Sequence, residues 1–224
     1  MGRSSGIQLR ALGFAVAMLT AIPAQAQSAA KYDPGANDKT IKIGTTAPLS
    51  GPVSAFAQIA KSAEAYFRKV NDEGGVNGRR IEMIIVDDAY NPPKTVEQTR
   101  RLVESDEVLL VFGGVGTPTN SAVHKYLNDR KVPQLFLGSG AAKWDDPKNF
   151  PWTVAWQPTY RDEAIAYATY IKASHPAAKV GILYQNDDLG KDYLKALEEG
   201  MGGSDRIVAK APYETTQPTV DTQI

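Results

Sequence analysis

Apolar positions along this chain recur with two alternating periods. Residues 40–46 (TIKIGTT) alternate β-formers and stop at a loop of breakers, 47–52 (APLSGP). Over 55–71 the spacing becomes helical, with Ile59, Ala63, Tyr66, Phe67 and Val70 on one face. Gly74-Gly75 closes that helix, and Asn77-Gly78 turns the chain into a second strand, 80–86 (RIEMIIV), which ends at Asp87-Asp88. Pro92-Pro93 opens the next helix, with Val96, Leu102 and Val103 inward. Residues 108–112 form a short apolar strand ending in the glycine run 113–116 (GGVG). Thr117-Pro118, a cap followed by proline, starts a helix carrying Val123, Tyr126 and Leu127. A fourth strand at 132–137 stops at Gly138-Ser139-Gly140.

The rhythm then stalls: 141–150 is polar and irregular, 151–156 is extended, and Pro158 closes the segment. It restarts with a helix at 160–173, a strand at 179–184, a helix at 189–200 and a strand at 206–211. Strands alternating with helices of this length predict βαβ units with right-handed crossovers. The expected fold is α/β, with two doubly wound parallel-sheet lobes joined by a hinge. The lobes are placed at 40–150 and 159–224, with the hinge at 151–158. Two strands are few for a parallel sheet that needs both faces covered. The second lobe is therefore expected to be incomplete, as in the N-terminal portion of a longer protein or a truncated reading frame.

The first residues change the picture of where such a fold works. Arg3 and Arg10 precede an apolar run, 11–22, which Pro23 breaks before Ala24-Gln25-Ala26. A basic start, an apolar stretch of about a dozen residues and a small-residue exit make a secretory signal peptide, 1–26, with cleavage after Ala26. The run is short of the roughly 20 residues a membrane span needs. Lys plus Arg and Asp plus Glu each number 25, so no net field attracts nucleic acid or an anionic membrane. The chain has no cysteine, which excludes disulfides, thiol chemistry, cysteine metal sites and a lipid-modified cysteine after the leader.

In open parallel sheets ligands bind beyond the C-terminal strand ends. The loops there are rich in Gly, Ser, Thr and Asn and poor in catalytic types. The 113–116 run lacks G-x-G-x-x-G spacing and follows the third strand, which argues against a dinucleotide site. It leaves two readings open: an anion site at the following helix N-terminus, or a tight turn. Asp87-Asp88 resembles the acidic pair of a phospho-receiver domain, but the leader contradicts that, and solvated loop carboxylates or helix caps are expected. His124 and His175 have no partner at metal spacing, and no G-x-S-x-G elbow occurs. No catalytic residue, metal or cofactor is assigned, and an enzyme is not expected. Trp144, Trp152 and Trp156 are either core aromatics or one wall of an apolar pocket.

Taken together, 43–56 (IGTTAPLSGPVSAF), 71–78 (NDEGGVNG), Asp87-Asp88 and 184–193 (YQNDDLGKDY) resemble the periplasmic leucine/branched-chain-amino-acid-type solute-binding proteins of ABC importers. The resemblance runs from about residue 40 to the end. It implies a monomeric two-lobed periplasmic protein that closes on an amino acid or another small carboxylate and hands it to an inner-membrane permease. Carried over by position, the carboxylate-binding hydroxyl falls on Thr117 and the following backbone and hydroxyl contacts on Gly138, Ser139 and Gly140. A first-loop aromatic falls on Phe56, and a second-lobe tyrosine position on Leu189. Phe56 and Leu189 each lack a phenol hydroxyl that amino-acid binders often carry, and Gly140 lacks a hydroxyl as well. Aromatic or aliphatic acids are therefore an alternative ligand class, and a non-functional truncated relic is a further alternative.

Overall fold

A computed structural model describes residues 1–2, 32–217 and 219–224. The cleavage site and nearly all of the expected leader lie outside the described residues. Five parallel strands form the larger sheet: β1 (Thr40–Ala47), β2 (Arg80–Asp87), β3 (Leu110–Phe112), β4 (Gln134–Leu137) and β5 (Thr153–Ala155). They lie in the order β2-β1-β3-β4-β5, so the chain steps one way from β1 to β2 and then returns past β1 to reach β3. That reversal opens a crevice beyond the ends of β1 and β3, where α/β sheets seat their ligands.

Three helices cover this sheet: α1 (Ala57–Asp72), α2 (Pro92–Glu104) and α3 (Thr117–Asp129). Consecutive strand residues point to opposite faces, and β3 shows both. Val111 packs with Leu102, Val123 and Leu127 of α2 and α3, while Phe112 meets Phe67 of α1 edge-on at 5.3 Å. The first lobe is thus doubly wound. The α1 face differs from the sequence expectation, however. Its buried positions are Ala57 and Ala60, whereas Ile59 and Tyr66 are exposed.

The smaller sheet pairs β6 (Val180–Gln185) with β7 (Ile207–Tyr213) in parallel, with α4 (Tyr160–Ser174) before β6 and α5 (Asp188–Met201) between them. The two helices approach so closely that a Cβ on Gly200 would stand 2.6 Å from that of Ala168. Ala164, Ala168, Ala196, Leu197, Met201 and Ile207 form their shared core. Residues 151–156 were expected only as an extended connection. They include β5, because backbone bonds to β4 extend the first sheet by one more strand. A third cluster, Leu137, Ala141, Trp144 and Tyr160 with Leu189 and Tyr193, joins the end of β4 to α4 and α5.

Candidate functional site

Thr117 was expected to cap α3 through its side chain. In the structure Gly116, at φ 99°, is the cap residue and makes no side-chain cap bond, and Thr117 is the first residue of the helix. Its hydroxyl is thereby free to turn away from the backbone, and it lies 2.7 Å from Ser139 Oγ and 3.2 Å from the Tyr160 phenol. Ser139 also accepts from the Trp144 indole Nε1–H at 2.8 Å and from the Ala141 N–H at 3.4 Å. Thr117 and Ser139 are fully buried. The cluster holds hydroxyls and an indole N–H and contains no acidic side chain.

The flanking glycines have separate reasons. Gly138 continues the sheet: its N–H donates to the Gly114 carbonyl at 2.8 Å and its carbonyl accepts from the Gly116 N–H at 3.1 Å. Gly140 accepts from the Tyr160 N–H at 2.8 Å, and a Cβ there would stand 2.5 Å from the Pro158 carbonyl. This backbone excludes a side-chain hydroxyl at Gly140, which explains the departure noted in the sequence. Leu189 packs against the Trp144–Tyr160 cluster. Phe56 ends a 3₁₀ turn after β1, is exposed, and belongs to none of the three buried clusters. The structure therefore brings Thr117, Ser139 and Gly140 together with Leu189 close by, and leaves Phe56 outside them.

Tyr90 and Tyr160 carry more of this region than the sequence suggested. Ala89 and Tyr90 both adopt positive φ, 51° and 58°. They are held there by Asp87 Oδ1, which accepts from the Ala89 N–H at 3.0 Å, and Asp88 Oδ1, which accepts from the Tyr90 N–H at 2.9 Å. The turn lays the Tyr90 ring against Gly116, where no Cβ fits. Burial pushes the Tyr90 phenol up to about 12, against the influence of the Gln185 side chain and with that of the Asp187 carboxylate. Of the two expectations for this pair, solvated loop carboxylate or helix cap, Asp88 departs from the first: it is fully buried and accepts from the Thr95 hydroxyl in the first turn of α2. Burial raises its carboxyl. Asp87 is also raised by burial, but bonds from Lys94, Ser50 and two N–H groups outweigh this and hold it well below the usual carboxylate range. All the sequence held of this was the Asp87-Asp88 pair two and three residues before Tyr90.

Buried Trp144 and exposed Trp156 line one cavity with Gly140 and Ala155, whereas Trp152 lines another, so two of the three tryptophans share a pocket wall. His124 lies edge-on to Trp144 at 5.0 Å and stacks on Phe150 at 3.9 Å, and its Nε2 has no hydrogen-bond partner. Burial, aided by Lys143, lowers its pKa to about 4. No cluster of three or more metal-binding side chains occurs among the described residues.

Residues 40–224 match the family described as periplasmic binding protein. The chain belongs to that family. The Leu/Ile/Val-binding protein homolog 3 of Brucella melitensis is 36% identical over 93 residues, 41% of this chain and 25% of that protein. A possible leucine/isoleucine/valine-binding protein from Rhodopirellula baltica superposes with a TM-score of 0.74 at 21% identity, covering 87% of this chain and 53% of that one. A solute-binding protein of an ABC transporter from Rhodopseudomonas palustris, solved with 3,4-dihydroxybenzoic acid, superposes with a TM-score of 0.68 at 25% identity over 79% of this chain and 48% of that one. This periplasmic binding protein thus spans about half the length of its solved neighbours.

Proposed function

We propose that this protein is the extracytoplasmic solute-binding component of an ABC importer, and that it takes a small carboxylate at Thr117 and Ser139. The observation that carries this reading is the buried hydroxyl pair at the start of α3, 2.7 Å apart and free of acidic side chains. Two hydroxyls together with the free N–H groups of a helix N-terminus suit a carboxylate, and bonds to a charged group are the stronger kind. Gly138 and Gly140 shape the backbone around the anion. Leu189 supplies apolar contact from the second lobe.

The two lobes move about the C-terminal end of the 151–158 segment, beyond β5, which stays with the first sheet. Tyr160 covers Thr117, so a ligand enters when the start of α4 swings away and is enclosed when it returns. The loaded monomer then delivers its ligand to an inner-membrane permease. Residues 1–26 direct export to the periplasm, with cleavage after Ala26.

Branched-chain amino acids are the ligand class suggested by the Brucella relative. Aromatic acids are the second reading, favoured by the phenols and indole of Tyr90, Tyr160 and Trp144 around the hydroxyl pair and by the Rhodopseudomonas neighbour. Calorimetry of the full-length protein with isoleucine and with 3,4-dihydroxybenzoate tests the two side by side. Stoichiometric binding of either acid, without turnover, supports the proposal. Binding of neither removes the carboxylate reading.

A further inference from the structure

Each hydroxyl in the cluster can donate or accept, and distances alone leave the direction open. Trp144 resolves it. An indole N–H only donates, and a hydroxyl has one proton and two lone pairs. Ser139 Oγ receives the Trp144 Nε1–H at 2.8 Å and the Ala141 N–H at 3.4 Å, which occupies both acceptor positions. Its own proton must then go outward, toward the Thr117 oxygen 2.7 Å away. Thr117, accepting there, turns its proton toward the Tyr160 phenol at 3.2 Å. The indole is itself held in place. His124 meets it edge-on at 5.0 Å, and the Lys143 ammonium stands 5.3 Å from its ring centroid.

We propose that Trp144 is a positioning residue that makes Ser139 donate to Thr117 and so turns the Thr117 proton outward, so that the site accepts a carboxylate and discriminates against the matching carboxamide. The inference rests on the reading of Thr117 and Ser139 as the anion site. A carboxylate offers only acceptors, whereas an amide's NH₂ finds both lone pairs of Ser139 occupied and only the one that Thr117 keeps free. Removing the indole N–H returns a lone pair to Ser139 and lets it accept from the amide.

The test compares 3,4-dihydroxybenzoate with 3,4-dihydroxybenzamide, and isoleucine with isoleucinamide, on wild-type protein and on Trp144→Phe, which keeps a ring in the cluster. The expected result is an acid-over-amide preference in the wild type that narrows by about tenfold in the variant, the scale of one bond to a charged group. A merely structural role weakens acid and amide alike, and an unchanged ratio overturns the proposal. A second measurement needs no ligand and no tryptophan variant. In the ¹⁵N spectrum, Ser139→Ala should move the Trp144 indole proton upfield while those of Trp152 and Trp156 stay in place. An unmoved Trp144 signal contradicts the bond on which the inference stands. If neither acid binds the wild type, the carboxylate reading fails, and the indole shift alone then decides whether Trp144 fixes Ser139.

Discussion

The five-stranded and two-stranded sheets use the same strand–helix alternation but close their interiors differently. The larger sheet has Leu102 and Leu127 fully buried on its α2–α3 side and the Phe67–Phe112 contact on the other. In the smaller sheet, Ile182 packs on the α4–α5 core, while its neighbour Leu183 and Val208 on β7 are 45% and 58% exposed. Rigidity and chemistry follow that division. The buried hydroxyls stand on the strand ends of the well-covered sheet. The smaller region contributes the parts that lie over them, Tyr160, Gln185, Leu189 and Tyr193. In the proposed reading the first is the anion site and the second its cover.

The comparison breaks most easily in the cores. Leu127→Ala should cost about 2–5 kcal/mol in denaturant unfolding, because a buried leucine leaves a cavity. Leu183→Ala on the exposed face should stay within about 0.5 kcal/mol. Similar losses at the two sites would mean that the smaller sheet is as well covered as the larger. Next in size is a pH effect confined to the larger region. The His124 pKa of about 4 lies below its unfolded value of about 6.5. Between these values the unfolded chain holds a proton that the folded chain refuses, so stability falls as pH drops through that window. The loss should be on the order of 1–3 kcal/mol, and His124→Phe, which keeps the stacking, should flatten it in melts from pH 7 to 4. A variant that melts with the same pH slope as wild type would remove His124 as its cause.

The caps give the smallest contrast. Asn91 accepts from the Lys94 N–H at the start of α2, and Asp187 accepts from the Leu189 and Gly190 N–H groups at the start of α5. Asn91→Ala should cost about 1 kcal/mol. Asp187→Ala should cost somewhat more, because its carboxylate also accepts from Gln185 Nε2 at 2.6 Å. Equal or reversed losses would show that the Gln185 bond adds nothing to the cap.

Much of this architecture was legible from periodicity and punctuation. Pro92-Pro93 marked the start of α2, and the alternation at 40–46 marked β1. What escaped was decided by tertiary contact. Three residues, Thr153–Ala155, are too few to show a strand by pattern, and they become one only through pairing with β4. Ile59 and Tyr66 fit a helical stripe but face outward, because small Ala57 and Ala60 let α1 sit close to the sheet. Thr117 was identifiable as a polar residue at a helix start, but not as one whose hydroxyl bonds Ser139 and Tyr160, 22 and 43 residues away. Tyr90 and Trp144 were equally hidden, since a left-handed turn and a donor-only indole acquire meaning only beside Gly116 and Ser139.

The central claim is that the Thr117 hydroxyl holds a ligand carboxylate. Thr117→Val keeps the shape of the side chain and removes the hydroxyl. Calorimetry of the full-length protein with whichever of isoleucine or 3,4-dihydroxybenzoate binds should show affinity weakened by one to two powers of ten, from the roughly 1.5–3 kcal/mol of a bond to a charged group. Unchanged affinity in a variant that melts like wild type would contradict the account and remove Thr117 from the site.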